Sequence, residues 1–407
     1  MRWNTRCVLI PQHYKSSEEI PMKHWKILIV LLAFVLCACA RREPARAPET
    51  PAPENERIPL WSELDWSGHL ELDYAQSFAV DFSSEGYARI SIDQETYLLT
   101  PQLGQPPAEV PEDVTVLRQP LENIYLQATA AMDCFRQLEA MEAITLSGTQ
   151  ADGWYIPEAR QAMEDGRMLY AGKYSAPDYE LIVSKNCDLA LESTMIYHNP
   201  EVKEQLERLG VPVLVERSSY ERHPLGRMEW IKLYGVLTGR LEEAEAYFDR
   251  QIERLEPILE QESTGKTVAF FSVASNGSVT VRKSGDYIAK AIELAGGVYV
   301  FQGLAENENA LSTINIQMET FYDTARDADV LIYNSTIEAD LDTIEQLVAK
   351  SAPLADFKAV QAGNVWCTGK SMFQESQAVG DIITDIHTVV SEEDPADEAL
   401  TYLRKLT

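Results

Sequence analysis

The chain has 407 residues, of which 35 are lysine or arginine and 64 are aspartate or glutamate, so its formal net charge is −29. A chain of this length exceeds the size at which a single hydrophobic core stops growing, which predicts two lobes. The negative charge argues against a nucleic-acid partner, because binding to phosphates needs basic surface.

Residues 1–39 have the pattern of a signal peptide. Met22 opens a basic segment, an apolar run follows from Ile27 to Leu36, and small residues precede Cys39. The apolar run is too short to span a bilayer comfortably. The sequence LCAC, which ends at Cys39, resembles the lipobox of bacterial lipoproteins, in which the cysteine is diacylated and becomes the first residue after cleavage. We expect Met22 to be the true start and Cys39 to carry a lipid anchor. An uncleaved segment would equally leave the protein on the extracytoplasmic face of the cell membrane.

Two segments precede the lobes. Residues 40–57 are rich in Pro, Ala, Glu and Arg, which predicts a flexible tether because such a composition cannot bury apolar surface. Residues 58–117 predict a β hairpin extension, since alternating apolar residues run from Phe78 to Phe82 and from Tyr87 to Ile92 with a turn sequence between them.

Residues 118–223 alternate short β-branched strands with helical segments, which is typical of an α/β lobe with a parallel sheet. The predicted strands and helices of this N-terminal lobe are Asn123–Gln127, Met132–Met141, Ala143–Leu146, Tyr179–Lys185, Asp188–Leu191, Pro200–Leu209 and Val211–Val215. The small residues that follow the first strand indicate a strand-to-helix loop, where α/β folds bind ligands, although a tight turn would use the same residues.

Residues 224–264 predict the connection between the lobes. Apolar residues recur at helical spacing from Leu241 to Glu262, and charged residues fill the opposite face, so this stretch predicts one long amphipathic helix. An ordinary surface helix of a single large domain would show the same periodicity.

Residues 265–392 repeat the strand and helix alternation and predict a C-terminal lobe, and residues 393–407 follow as a C-terminal tail. The predicted elements of this lobe are Thr267–Val273, Ser278–Arg282, Asp286–Leu294, Met318–Ala325, Val330–Tyr333, Leu341–Ala349, Val365–Cys367 and Gln374–Val390. The fold class is therefore α/β, with two Rossmann-like lobes joined by one long helix and a ligand cleft between them.

Beyond Cys39 the cysteines are Cys134, Cys187 and Cys367, in neither CxxC nor CxxxH spacing, which makes a zinc site improbable. A disulfide between Cys134 and Cys187 would suit an exported protein, but the odd count is equally consistent with buried free thiols.

Catalytic motifs are absent from the sequence, which contains no GxSxG, HExxH, P-loop or GxGxxG pattern. The histidines of the mature part do not share the spacing of a helical metal site. We therefore expect a protein that is not an enzyme and has no metal site.

Polar and aromatic residues gather instead at the predicted strand ends. Such a cleft suits a bulky ligand, because aromatic faces supply contact area and guanidinium groups bind carboxylates. The residues that we expect to bind the ligand are Trp154, Tyr220, Arg222, Arg227, Asn276 and Arg282. Each one taken alone could equally be a surface or capping residue, and Arg227 could instead pair with a glutamate at the start of its helix.

Three phrases appear in a specific order along the chain: LGVPVLVE, then LTGRLEEAEAYF, then AIELAGG. Together with the LCAC sequence and the two lobes, they resemble the substrate-binding lipoproteins of ABC importers for iron-siderophores, haem and cobalamin. The resemblance covers roughly Leu121 to Val390 and leaves the extension outside it. It implies two lobes bridged by one rigid helix, with an iron chelate, haem or corrinoid as transported ligand and no resident cofactor. The implied partners are an ABC permease dimer and its cytoplasmic ATPase, and we expect a monomer.

The resemblance also implies a docking site. In the cobalamin and siderophore members, a glutamate on each lobe meets arginines of the permease, at the start of a helix that precedes an apolar strand. Here Glu180 in PDYELIVSKNCDLAL and Glu319 in QMETFYDTARDADVLIY hold those positions. A carboxylate in a first helical turn also complements the helix dipole without any partner. The alternatives that stay open are an extracytoplasmic ligand sensor or chaperone on the same fold and an acidic surface hydrolase.

Overall fold

The computed structural model describes residues 57–304, 312–336 and 340–407. The predicted signal peptide, the lipid-anchor residue Cys39 and nearly all of the tether lie outside these ranges. Residues 58–407 form one compact unit. No helix in the described ranges combines the length and the apolar character that crossing a bilayer requires.

The strands, numbered in chain order, are β1 (Gly68–His69), β2 (Phe78–Phe82), β3 (Ala88–Ile92), β4 (Glu95–Leu99), β5 (Val114–Leu117), β6 (Ile124–Leu126), β7 (Ile144–Ser147), β8 (Leu169–Tyr170), β9 (Gly172–Lys173), β10 (Ala176–Pro177), β11 (Leu189–Ser193), β12 (Val213–Glu216), β13 (Thr267–Val273), β14 (Val279–Arg282), β15 (Val298–Tyr299), β16 (Thr313–Ile316), β17 (Val330–Tyr333), β18 (Val365–Thr368) and β19 (Leu403–Lys405).

The α-helices, numbered likewise, are α1 (Ala131–Gln137), α2 (Pro157–Glu164), α3 (Tyr179–Ser184), α4 (Pro200–Arg208), α5 (Pro224–Glu229), α6 (Ile231–Thr238), α7 (Leu241–Leu259), α8 (Tyr287–Leu294), α9 (Met318–Ala325), α10 (Ile344–Lys350), α11 (Lys358–Gln361) and α12 (Val379–Ser391).

The first sheet is the N-terminal extension, with strand order β1-β2-β3-β4-β5. Its strands are antiparallel except for the parallel pair β4 and β5. Alternation along β3 buries Ala88, Ile90 and Ile92 in the main hydrophobic core, as the period of two in the sequence predicts. The extension is therefore a five-stranded sheet that shares its core with the lobes, larger than the hairpin that its sequence suggests.

The second sheet belongs to the first lobe and is parallel throughout, in the order β12-β11-β6-β7-β8. The strands β6, β11 and β12 are buried, which explains why they appear in the sequence as short apolar runs rather than as alternating ones. The third sheet belongs to the second lobe, in the order β16-β14-β13-β17-β18-β19. Its central strands β13, β17 and β18 are parallel, and antiparallel strands flank them on both sides.

The last strand of this sheet, β19, comes from the segment that the sequence suggests only as a tail. Asp385, which is buried on α12, accepts hydrogen bonds from the backbone N–H groups of Thr401, Tyr402 and Leu403 at 2.6–3.1 Å. These bonds hold the start of β19 beside β18. The C-terminal residues are consequently an integral part of the second lobe.

Helices α5, α6 and α7 connect the two lobes, and α7 is the long amphipathic helix that the sequence predicts. Ala244, Phe248 and Leu255 on one face of α7 are buried in the main core. The architecture is thus an α/β fold of two lobes with parallel sheets, joined through a helical segment.

Candidate functional site

The carboxyl ends of the parallel strands of the two lobes meet each other. In the loop after β7, the carbonyl of Gly153 accepts a hydrogen bond from the side-chain amide of Gln374, which follows β18. The side-chain oxygen of Gln374 accepts a second bond from the backbone N–H of Tyr155, and both bonds are 2.7 Å long. Because α/β folds bind ligands at the carboxyl ends of their strands, the cleft between these ends is the candidate site.

Exposed aromatic and apolar side chains lie at the carboxyl ends of three strands of the first lobe, of which β7 and β8 are neighbours and β11 is separated from them by β6. They are Tyr155 after β7, Tyr170 at the end of β8, and Met195 and Tyr197 after β11, each 39–45% exposed. These four make up half of the large apolar side chains that stand out as exposed in the described part of the chain. Aromatic rings contribute large contact areas with little loss of conformational freedom, so this edge suits a bulky ligand with apolar faces.

Positively charged side chains lie after the strands β8, β12 and β18. Lys173 follows β8, Arg222 follows β12, and Lys370 follows β18 with its ammonium 6.0 Å from the ring centre of Tyr155. Within the described ranges none of the three has a carboxylate at ion-pair distance. In a chain of net charge −29, an unpaired lysine beside the exposed ring of Tyr155 favours a ligand that carries negative charge.

Arg227 lies deeper, between α5 and the second lobe. It is only 6% exposed, and its guanidinium carbon is 4.0 Å from the ring centre of Tyr287 at the start of α8. Its Nε has no hydrogen-bond partner among the described residues. Burial raises the pKa of the nearby Glu216 carboxyl, and the positive charge of Arg227 opposes this rise. Arg227 therefore forms a buried contact between the linking segment and the second lobe.

Arg282 occupies a similar buried position within the second lobe. Its guanidinium lies between the rings of Phe270 and Phe373, at 5.7 and 5.0 Å from their centres. It also donates a hydrogen bond to the hydroxyl of Ser312 and lies 3.5 Å from a carboxylate oxygen of Asp286. Arg282 is thus largely satisfied by its own lobe and supports Phe373, which stands in the segment after β18.

Trp154 is fully buried in the first lobe, where its indole N–H donates a hydrogen bond to the hydroxyl of Ser147. Its neighbour Tyr155 is the exposed member of the pair. In this structure Tyr155, and not Trp154, presents its ring to solvent at this position.

The other three sequence-predicted residues are dispersed. Tyr220 is half-buried, holds the guanidinium of Arg217 over its ring at 4.8 Å, and has its hydroxyl 3.4 Å from that of Thr194. Arg222 is exposed in the loop that leads into α5. Asn276 is exposed in the β13–β14 turn, where its side-chain oxygen accepts hydrogen bonds from Ser278. Tyr220 and Arg222 thus lie close together in the segment after β12, whereas the contacts of Asn276 shape a turn.

Glu180 and Glu319 occupy equivalent places in the two lobes. Each is the second residue of its helix, α3 or α9, and each helix leads into a central parallel strand. Both side chains are exposed, and neither carboxylate has a hydrogen-bond or ion-pair partner in the part of the chain that is described.

The cysteines and acidic residues form no further candidate centre. Cys134, Cys187 and Cys367 are all buried free thiols, and burial raises the pKa of each. Across the described ranges, no three His, Cys, Asp or Glu side chains lie together as potential metal ligands.

Sequence reasoning did not single out Tyr170, Met195, Tyr197, Lys370 or Gln374. The signal in the sequence that could have identified them is their place at or after the end of a strand. Many loop residues have the same place, so this signal is not specific. The exposure of Tyr170, Met195 and Tyr197, and the contacts of Lys370 and Gln374 with the other lobe, depend on tertiary packing and cannot be recovered from local pattern.

Comparison with known proteins agrees with this architecture. The chain is 24% identical over 296 residues to an uncharacterised lipoprotein of Methanocaldococcus jannaschii, a match that covers 69% of this chain and 68% of the relative. Among solved structures, a periplasmic haem-binding protein from Pseudomonas aeruginosa has a TM-score of 0.52 at 15% identity, covering 70% of this chain and 99% of that protein.

A periplasmic catecholate-siderophore-binding protein from Vibrio cholerae also has a TM-score of 0.52, at 11% identity, covering 66% of this chain and 94% of that protein. At such identities these two structures show the shared fold. The family described as "Periplasmic binding protein" matches residues 138–371, which is more than half of the chain. This protein therefore belongs to the periplasmic binding protein family.

Proposed function

We propose that this chain is an extracytoplasmic substrate-binding lipoprotein that captures an iron chelate, haem or corrinoid between its lobes and delivers it to an ABC permease. The observation that carries the proposal is the set of exposed aromatic side chains at the carboxyl ends of β7, β8 and β11 in the first lobe, Tyr155, Tyr170 and Tyr197, with Lys370 over the ring of Tyr155. Large metal chelates and macrocycles combine broad apolar faces with carboxylate or phenolate groups, which such an edge can stack on and neutralise.

The family comparisons support the same ligand class. Two of the solved structures with a similar fold are named as binding haem and a catecholate siderophore, and the archaeal relative is named as a lipoprotein. The ligand in this proposal is cargo and not a resident cofactor. Trp154, Tyr220, Arg222, Arg227, Asn276 and Arg282 remain the residues proposed from sequence to shape the ligand cleft, with Trp154, Arg227 and Arg282 acting from buried positions.

Delivery requires an anchor and a docking surface. We propose that Cys39 is lipidated and that Glu180 and Glu319 meet basic residues of the two permease subunits, with a cytoplasmic ATPase driving transport. Two exposed carboxylates with no partner among the described residues are free to pair with an external cation, whereas a paired carboxylate would first have to break its own bond. The binding protein acts as a monomer in this scheme, one copy on one permease dimer.

The test is a binding screen with the soluble chain from residue 40 against haemin, cobalamin and ferric siderophores of the catecholate and hydroxamate types. Tryptophan emission reports binding, because Trp154 adjoins the Gly153–Gln374 contact between the lobes. We expect saturable quenching by one class of ligand. The absence of saturable binding to every ligand in the screen, or turnover of a model ester or glycoside, would overturn the proposal.

A further inference from the structure

The N-terminal extension is attached to the segment between the lobes by an unusual set of contacts. The carboxylate of Glu229, at the end of α5, is fully buried and accepts hydrogen bonds from the backbone N–H groups of Asp73, Tyr74 and Ala75 at 2.7–2.9 Å. The ammonium of Lys232 donates a further bond to Glu229 at 2.8 Å. One buried carboxylate thus binds three consecutive amides of a segment about 150 residues earlier in the chain.

A second glutamate binds the next two backbone amides of the same segment. The carboxylate of Glu221, which is also buried, accepts hydrogen bonds from the N–H groups of Gln76 and Ser77 at 2.8–3.2 Å. The indole N–H of Trp230 donates to the same carboxylate at 3.0 Å. Charge-assisted hydrogen bonds in buried positions are the strong ones, so residues 73–77 are held firmly against α5, which ends at Glu229, and against the loop before it, which contains Glu221.

The steric fit on α5 is equally tight. A Cβ atom at Gly226 would lie 2.9 Å from the carbonyl oxygen of Tyr74, so the extension's backbone rests directly against the helix at a residue with no side chain. The ring of Tyr74 stacks on His223 with centres 4.9 Å apart and meets Phe248 of α7 edge-on. The extension therefore contacts both α5 and the long helix that follows.

The opposite side of α5 contacts the second lobe. Arg227 stacks on Tyr287 there, and Gly380 of α12 packs so closely that a Cβ atom on it would lie 3.6 Å from the sulfur of Met228. α5 thus lies between the extension on one side and the second lobe on the other. The contacts of α5 therefore link the extension to the second lobe.

We infer that Glu221 and Glu229 are positioning residues that clamp residues 73–77 onto α5 and so fix the angle between the two lobes. The clamp goes beyond ligand capture, because it acts on the protein without any ligand. It also gives a role to the extension, which lies before the start of the family match at residue 138. The extension thus fixes the geometry of the connection between the lobes.

The test measures the distance between the lobes in solution. Spin labels are attached at Lys185→Cys in the first lobe and Glu345→Cys in the second, both exposed, in the soluble chain from residue 40. The native thiols Cys134, Cys187 and Cys367 are buried and have raised pKa values, so they label poorly. Pulsed electron resonance then gives the distribution of the interlobe distance.

Glu229→Gln should shift the mean distance by about 2 Å or more, or widen its distribution by as much, which is the scale of a domain rearrangement. Gly226→Ala is the second variant, since it keeps every charge, improves intrinsic helix propensity and still wedges the extension away from α5. Val80→Ala is the matched control, because it removes buried volume from β2 and lowers stability without touching the clamp.

One outcome would contradict the proposal: Glu229→Gln and Gly226→Ala lower the melting temperature as Val80→Ala does, but the distance distribution stays unchanged. The clamp would then be a purely stabilising contact. A Glu229→Gln chain that fails to fold leaves Gly226→Ala to decide the matter. Because no ligand is used, the result does not depend on whether the ligand screen succeeds.

Discussion

The guanidinium of Arg227 lies over the ring of Tyr287 at 4.0 Å, and this contact joins the helix between the lobes to the second lobe. Both residues are buried, so the contact is shielded from water and from salt. A cation over an aromatic face is worth about 2 kcal/mol or more when desolvated, against about 0.5–1 kcal/mol at the surface. Arg227 is consequently a stability determinant, whatever it contributes to the ligand cleft.

We predict that Arg227→Met lowers the free energy of unfolding by about 2 kcal/mol, because it removes this contact and the positive charge that acts on Glu216. The matched control is Arg222→Ala, five residues earlier and exposed, which should change stability by no more than about 0.5 kcal/mol. Urea denaturation followed by fluorescence measures both. Equal losses in the two variants would contradict the assignment of Arg227 to the interior.

A second prediction concerns Glu192 on β11, which is fully buried and has no hydrogen-bond partner for either carboxylate oxygen among the described residues. Desolvation raises the pKa of this carboxyl to about 8 from an ordinary value of 4.5. The folded chain therefore keeps a proton that the unfolded chain releases, and stability falls as pH rises from about 4.5 to about 8.

Replacing Glu192 with glutamine removes this titration. We expect the stability advantage of Glu192→Gln over the parent chain to grow by about 3–4 kcal/mol between pH 5 and pH 8, from roughly 1.4 kcal/mol per pKa unit. Unfolding free energies at pH 5, 6.5 and 8 measure the effect. Parallel pH profiles for the two chains would show that Glu192 is solvated or paired in solution.

A third prediction tests the aromatic edge. For whichever of haemin, cobalamin or a ferric siderophore binds, Tyr155→Ala and Tyr197→Ala should each weaken binding about tenfold, because about 1.4 kcal/mol of stacking is lost. Leu103→Ala is the control, since Leu103 is 79% exposed but lies in the loop of the extension between β4 and β5. Unchanged affinity in both tyrosine variants would move the ligand away from this edge.

Much of the secondary structure follows from the sequence because it is specified locally. The predicted helix Met318–Ala325 and strand Val330–Tyr333 coincide with α9 and β17 to the residue, since their apolar periodicity and flanking polar residues are unambiguous. The strands β16 and β19 are not evident, because each is short and is stabilised by pairing with a distant neighbour. Local pattern carries no information about such a neighbour.

The side chains of the site are harder to predict for the same reason. Trp154 and Tyr155 are adjacent and alike in sequence, and only packing against Ser147 decides which ring is buried. In the sequence, Glu221 and Glu229 look like ordinary surface charges, one in the loop before α5 and one at its end. Their partners are backbone amides about 150 residues away, which no spacing rule can reveal.

A fourth prediction concerns the anchor. Cys39→Ala should leave the precursor uncleaved or release the protein from the membrane, because the thiol that accepts the lipid is gone. Cys37→Ala is the matched control within the same LCAC sequence and should be processed normally. Fractionation and metabolic labelling with a fatty acid measure both outcomes. A Cys39→Ala protein that is still processed and membrane-bound would exclude lipidation at this residue.

The fifth prediction concerns docking through Glu180 and Glu319. Charge reversal to arginine at both positions should abolish uptake while ligand affinity and melting temperature stay nearly unchanged, because neither carboxylate has a partner among the described residues. A first-turn carboxylate is itself worth about 0.3–1 kcal/mol through the helix dipole, so a small stability loss is expected. The two single variants should impair uptake partly, since two contacts related by a pseudo-twofold axis set the orientation on the permease.

The control for helix position is Glu345→Arg. Glu345 is also an exposed glutamate at the second position of a helix, α10, so its reversal should cost the same stability without affecting uptake. Acidic substitutions of permease arginines should restore uptake by the double variant, because they recreate opposite charges across the interface. Normal uptake by Glu180→Arg, Glu319→Arg, with Glu345→Arg also normal, would remove the docking proposal and weaken the case for an importer. A defect shared by all three positions would instead point to a general effect of added positive charge on the acidic surface.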